Sequence, residues 1–263
     1  MDKIRLGMVG GGEGAFIGEV HRISARMDER FVLCAGALCS DPDRSLRSAL
    51  DLGIARDRSY SDYIEMAKSE SKRDDGINFV SIVTPNHLHH PVAKIFLESG
   101  INVICDKPMT MNSEEAKELI DISERSNLIF AVTYNYSGYP LIREAREIVK
   151  EGKLGEIRII QVEYIQDWLT EAIEKSGHKQ ASWRVDPSKS GLGGSIGDIG
   201  THAFHLSHFV TQQMPEKISA DLSSFVKDRE LDDNAHILMR YASGARGMIW
   251  SSQVAPGNEN NLK

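Results

Sequence analysis

The sequence predicts an α/β protein: a doubly wound parallel sheet in the first half, followed by an α+β domain with a mostly antiparallel open sheet. Three observations carry this. Short apolar runs alternate with longer amphipathic stretches through the first half, the pattern of strands joined by helical crossovers. A glycine-rich segment, Gly10-Gly11-Gly12-Glu13-Gly14-Ala15, directly follows the first run and opens a helical pattern. After about residue 134 the periodicity changes to long alternating strands and a glycine-rich stretch.

Taken in order, strands are expected at residues 4–9, 31–39, 78–83 and 101–105, all rich in Val and Ile, with a fifth or sixth at 128–133. Helices are expected at 15–27, 42–52, 61–70, 89–99 and 113–126. The last opens on Asn112-Ser113-Glu114-Glu115, a cap followed by an acidic first turn. The second half reads as a helix at 140–151, a strand at 156–166 and a helix near 200–212. It closes with a hairpin of Asn234 to Tyr241 and Ala245 to Val254, joined across Ala242-Ser243-Gly244. A lone hairpin is marginal in water, so its sheet should include 156–166 and 217–226. The expected domains are residues 1–134 and 135–263.

At 263 residues, 41% hydrophobic and 26% charged, the chain is globular in composition and long enough for two modest cores. A formal charge of -7 offers no basic field to attract nucleic acid or an anionic membrane, and neither is expected as a partner. Cys34, Cys39 and Cys105 form no C-x-x-C pair and sit in apolar runs, as buried reduced thiols do. Met1 leads straight into the first strand, leaving no room for a signal peptide, and no apolar stretch reaches membrane-spanning length; a cytoplasmic location is expected.

The glycine-rich segment fits G-x-G-x-x-G/A, the dinucleotide fingerprint of a Rossmann domain, with Gly18 one turn further on. Gly10 permits the tight turn, Gly12 lets a pyrophosphate approach the backbone, and Ala15 permits close helix packing. The helix N-terminus supplies N–H groups to the phosphates. At the end of the second strand, Asp41 can accept from ribose hydroxyls and specify NAD, or Ser40 with Arg44 can hold the additional phosphate of NADP; the reading leans to NAD. Asp41 before Pro42 is equally placed to cap a helix.

Three further segments carry residues of chemical use: Thr84-Pro85-Asn86-His87-Leu88-His89-His90, Cys105-Asp106-Lys107-Pro108 and Gly197-Asp198-Ile199-Gly200-Thr201-His202. The first two follow strands, where ligands bind in an open parallel sheet. Asp198 and His202, four apart, share a face if they lie on one α-helix. Oxidising a secondary alcohol requires removal of the hydroxyl proton, which suits an imidazole, and a lysine to stabilise the developing alkoxide. His87, His89 and His90 cluster, and His202, His205 and His208 recur every third residue. Three-residue steps put His202 and His208 about 120° apart on a helix, and neither set has zinc spacing, so packing or hydrogen bonding is expected and no metal.

These segments, with Trp183-Arg184 between the second and third, resemble in order and spacing the glucose-fructose oxidoreductase and inositol dehydrogenase family (Gfo/Idh/MocA). The resemblance implies an NAD(P)-dependent oxidoreductase acting on a sugar, inositol or related polyol. Its catalytic set would be Lys107, Asp198 and His202. It implies cofactor contacts from Gly10, Gly12, Phe16, Ile17, Thr84, Asn86, His89, Asp106, Lys107, Pro108, Asn135, Trp183 and Arg184. Tyr164, Gln166, Asp167, Lys179 and His202 are expected at the substrate. Asp106 stands where the family commonly has Glu, a shorter carboxylate. Members usually continue past Gly257-Asn258-Glu259-Asn260, so a short second sheet with unpaired edges is expected, as are homo-oligomers through it. Two alternatives stay open: redox-neutral cleavage of a glycoside through transient oxidation by tightly held NAD, and a nucleotide-binding remnant without turnover.

Overall fold

The computed structural model describes residues 3–257 and 259–263. Met1, read as leading into the first strand, and Asn258, in the segment past which the family continues, lie outside the described residues. The chain forms two compact units, Met1–Thr133 and Tyr134–Lys263.

The first unit is built on six parallel strands: β1 (Ile4–Gly10), β2 (Phe31–Ala37), β3 (Ser59–Tyr60), β4 (Phe79–Val83), β5 (Asn102–Cys105) and β6 (Phe130–Val132), in the spatial order β3-β2-β1-β4-β5-β6. Helices α1 (Ile17–Arg26), α2 (Pro42–Asp51), α3 (Tyr63–Glu70), α4 (His89–Glu98) and α5 (Ser113–Ser126) connect successive strands. Such strands are covered on both faces, so each must be apolar almost throughout. Val80, Ile82, Val92, Phe96, Val103 and Leu119 accordingly pack in one buried cluster. The strand order reverses at β1, whose neighbours are β2 and β4, which opens the ligand crevice at the carboxyl ends of β1 and β4. Asp41, Asp62 and Asn112 each accept a backbone N–H and so cap α2, α3 and α5. Beneath β3 the fully buried Glu70 carboxylate takes both Arg58 Nε and Nη2, the Tyr60 hydroxyl at 3.0 Å and the Ile77 N–H at 3.2 Å.

The second unit carries a five-stranded sheet: β7 (Ile159–Ile165), β8 (Pro215–Ser223), β9 (Asn234–Tyr241), β10 (Arg246–Ser252) and β11 (Glu259–Leu262), ordered β11-β7-β10-β9-β8. All pairs are antiparallel except β7 with β10. Ile160, Val162, Met239 and Ile249 point from one face toward Ala203 of α9 (Thr201–Thr211). The remaining helices are α6 (Pro140–Lys150), α7 (Lys179–Arg184) and α8 (Pro187–Ser190).

Several expectations are corrected. The first helix begins at Ile17 rather than 15, because Gly14 has φ 74° and lies outside helical backbone. The close packing assigned to Ala15 belongs to Gly18, where an added Cβ would overlap Gly11 Cα. β3, only two residues long, leaves no periodic trace. The second sheet is mostly antiparallel as expected, with one parallel pair, and Glu259–Leu262 adds a strand beside β7.

Candidate active site

In the first unit the singled-out residues gather at one end of the sheet. The loop after β1 passes through Gly10 and Gly11 at φ 81° and 76°, values that favour glycine. An added Cβ on Gly12 would meet the Leu38 carbonyl oxygen at 2.8 Å and Ser48 Oγ at 3.0 Å. Gly12 is therefore required by the approach of its own chain to the end of β2, a reason distinct from the pyrophosphate approach inferred above. Among the described residues no side chain caps the start of α1, which leaves its first N–H groups for an anion. Phe16 is exposed beside it and Ile17 is half-buried. Asp41 accepts from Arg44 N at 2.8 Å, so the capping role and an acidic group at the ribose position coincide; Ser40 and Arg44 are exposed.

Thr84 follows β4, and its buried Oγ1 has no hydrogen-bond partner among the described residues; the same holds for His87 Nδ1. Asn86 is buried in the next turn. Asp106 follows β5 and accepts from Thr133 Oγ1 at 2.7 Å, while His21 Nε2 stands 3.7 Å away and His21 Nδ1 lies 2.9 Å from Ser81 Oγ. Burial raises the Asp106 carboxyl, but the nearby His21 imidazole, the bond from Thr133 and the Lys107 charge outweigh it and hold the group below the usual carboxylate range. His21 and Ser81 were missed because they lie inside elements, and Thr133, just past β6, because it falls at the end of the strand expected at 128–133; sequence offers no reason to separate any of them from core residues. His89 is also unlike its expectation. Nδ1 lies 2.7 Å from the Pro108 carbonyl oxygen and Nε2 2.9 Å from that of Thr84, so the ring has no nitrogen left for a dinucleotide. Burial pulls this imidazole below its ordinary value, against the two carbonyls and the Asp106 charge.

This cradle fits a dinucleotide. It has an uncapped helix start, a loop before it with glycine at 10, 11, 12 and 14, an orphaned hydroxyl at Thr84 and an acidic group just past β2.

In the second unit, His202 is buried on α9 within a cage of tyrosine rings. Tyr136 and Tyr134 meet it edge-on at centroid distances of 5.0 and 5.7 Å, and Tyr164 lies tilted at 6.1 Å. The Tyr136 and Tyr164 hydroxyls bond at 2.8 Å, and Tyr134 bonds Thr201 Oγ1 at 2.8 Å. Burial and then the Tyr136 hydroxyl push the Tyr164 phenol well above its ordinary value. Tyr134 stacks on His205 at 4.1 Å, and His208 Nδ1 bonds the Gln213 carbonyl at 3.1 Å; both histidines are used in packing and bonding.

Asp198 lies in the π-helical turn Ile196–Gly200, so the α-helical spacing assumed for Asp198 and His202 does not apply between them. Asp198 Oδ2 accepts from Arg184 Nε at 3.0 Å and Gln253 Nε2 at 2.9 Å. The Arg184 guanidinium lies over the Trp183 ring at 4.2 Å. Asp232 anchors this turn by accepting from Gly194 N at 2.7 Å and Ile196 N at 2.8 Å. Asn135, Asp167 and Lys179 are exposed, and Gln166 is half-buried just past β7. Tyr134, Tyr136 and Gln253 are additions; the Tyr134-x-Tyr136 pair directly after a strand was the available signal for the first two.

An uncapped helix start over a six-stranded parallel sheet, followed by a mixed-sheet unit, places the chain in the class of two-unit dinucleotide-binding proteins. Residues 4–134 match the oxidoreductase family model of the NAD-binding Rossmann fold, and residues 142–263 match the GFO/IDH/MocA C-terminal domain. The chain belongs to the Gfo/Idh/MocA family. It is similar to an inositol dehydrogenase homolog from Azotobacter vinelandii, solved with NAD+, at 39% identity and TM-score 0.95, covering 99% of this chain and 67% of that one. An uncharacterized oxidoreductase of Bacillus subtilis is 38% identical over 97% of this chain, which spans 65% of that relative's length. The levoglucosan dehydrogenase of Pseudarthrobacter phenanthrenivorans is 27% identical over the whole chain and 70% of its own length. A levoglucosan dehydrogenase structure in complex with NADH and levoglucosan superposes with TM-score 0.84 at 28% identity, covering 99% of this chain and 70% of that one. Among the described residues no helix is long and apolar enough to cross a membrane.

Proposed function

We propose that the protein is an NAD-dependent dehydrogenase that interconverts a secondary hydroxyl and a ketone on a sugar, inositol or related polyol. The observation that carries this is His202, an imidazole buried among tyrosine rings on a chain similar to proteins solved with myo-inositol and with levoglucosan. The acidic Asp41 at the ribose position, and relatives solved with NAD+ and NADH, support NAD over NADP.

The cofactor, when bound, supplies the hydride acceptor. In this reading His202 takes the hydroxyl proton as the C–H hydride departs, leaving a ketone. Asp198, tied to Arg184 and Gln253, is assigned the negative charge that balances the imidazolium. The Lys107 ammonium orients the hydroxyl and stabilises developing alkoxide charge. The turn after β1, the start of α1, Thr84 and Asn86 hold the dinucleotide. Tyr164, Gln166, Asp167 and Lys179 are assigned to the polyol hydroxyls. On the sheet face away from α9, exposed Ile159 and Leu238 with the half-buried Met248 and Trp250 support pairing of two copies, which light scattering reads.

The test is calorimetric titration with NAD and NADP, then reduced-nicotinamide absorbance with inositols and common sugars. Tighter binding of NAD, and reduction that falls about 10²–10⁴-fold in Lys107→Ala and His202→Ala, are expected. Absence of binding to either nucleotide refutes the reading.

A further inference from the structure

β4 and β5 pair in register as far as Ile82 with Cys105, and Asp106 N then donates to the Ile82 carbonyl at 2.9 Å. Past that point the two chain segments diverge, one into Thr84-Pro85-Asn86 and the other into Lys107-Pro108. The His89 ring, 1% exposed at the start of α4, fills the gap between them. Its two nitrogens lie 2.7 and 2.9 Å from the carbonyl oxygens of Pro108 and Thr84, which can only accept. Lys107 is thereby bracketed. On one side Asp106 is tied to Thr133 Oγ1 and Ile82, and on the other Pro108 is tied to His89.

We propose that His89 is a positioning residue: its imidazole bridges the loop after β4 to the turn after β5 and so sets where the Lys107 ammonium stands. A lysine side chain has four rotatable bonds, so the direction it serves is defined only if its backbone is fixed. The charged groups that act on the ring are Asp106 and Lys107 themselves. A phenylalanine at this position would fill the volume but remove both ring nitrogens, so the carbonyl that takes the ring N–H loses its donor. The Pro108 side of the turn would then be free to move while Asp106 stays tied to β4, and the Lys107 ammonium would change its place. The consequence for turnover rests on the role given to Lys107 above; the positioning does not, and it is read without cofactor or substrate.

The test uses the full chain with lysine labelled at Cε, the Lys107 resonance being identified by its loss in Lys107→Arg. His89→Phe is expected to move the Lys107 Cε resonance while those of the other lysines stay. His89→Gln, whose amide keeps two N–H donors, should remain nearer the native value. In the native protein a proton–nitrogen correlation of the ring should show a His89 N–H in slow exchange with water. A Lys107 Cε resonance identical in His89→Phe and the native chain overturns the proposal, as does a ring N–H that exchanges freely. The ring measurement needs no variant, so it decides the matter even where His89→Phe does not fold.

Discussion

Gly12→Ala probes the joint between sequence motif, fold and nucleotide site. The new methyl would stand 2.8 Å from the Leu38 carbonyl oxygen and 3.0 Å from Ser48 Oγ. A carbon and a carbonyl oxygen rest at about 3.3–3.6 Å, so the loop must withdraw from the end of β2 by roughly half an ångström or more. Neither obstacle gives way easily. The Leu38 carbonyl is backbone, and Ser48 Oγ already accepts the Glu13 N–H at 3.1 Å. The same movement stretches the bond from Gly12 N to the Leu38 carbonyl, already 3.3 Å. Overpacking of this kind costs about 1–3 kcal/mol. The loop and the start of α1 present the N–H groups assigned to the phosphates; losing one charge-assisted bond costs about 1.5–3 kcal/mol, roughly 10- to 100-fold in Kd. Thermal unfolding should thus show a lowered transition, and calorimetry a weaker NAD complex. A Gly12→Ala chain with native Tm and an NAD affinity within about twofold of native refutes both the contact argument and the cradle built on it.

Other perturbations report on single structural claims. Glu70→Ala should destabilise by about 3–5 kcal/mol in denaturant titration, because it strands the buried Arg58 guanidinium and unpairs the Tyr60 hydroxyl and the Ile77 N–H; a loss under about 1 kcal/mol contradicts the assigned network. The Asp106 carboxyl is held below its unfolded value, so it binds fewer protons folded than unfolded. Its contribution is present above the unfolded pKa of about 4 and is lost as pH falls through the folded value. Asp106→Asn should therefore be less stable than the native chain at neutral pH, with the gap closing in acid; a constant gap across the series removes the charge from the explanation. Asp232→Ala, which frees the N–H groups of Gly194 and Ile196, should cost about 1–3 kcal/mol and speed amide exchange across Ile196–Gly200, and unchanged exchange there counts against its anchoring role.

How far the sequence could be read depends on how local the determining forces are. The central strands announced themselves because strands buried on both faces must be apolar almost throughout, as Val80 to Val83 show. The caps of α2 and α5 were visible because Asp41 and Asn112 act within three residues of their own position. β3 was not visible, since two residues carry no period, and its place depends on pairing with Gly36 and Ala37 far along the chain. The parallel pairing of β7 with β10 was equally hidden, because strand direction in a mixed sheet follows from the path of the intervening chain and not from alternation.

The same distinction explains the site. Gly10, Asp106 and Lys107 could be singled out because they follow strands in a motif, but what each does depends on partners that sequence distance conceals. Asp198 illustrates it: four residues from His202, it read as half of a helical pair, whereas its carboxylate is engaged by Arg184, fourteen residues earlier, and Gln253, fifty-five later. The π-helical turn makes this possible by changing the angular step between Asp198 and the start of α9, and Asp232 holds that turn from a third segment. A carboxylate fixed by two donors keeps one orientation as charge develops nearby, and rigidity of that kind separates a placed acid–base group from a solvated one. If Arg184→Lys leaves an Asp198-dependent turnover untouched, the planar guanidinium is not needed for that placement. If it lowers kcat while the fold and NAD affinity persist, the orientation of Asp198 is part of the chemistry and the π turn is the element that provides it.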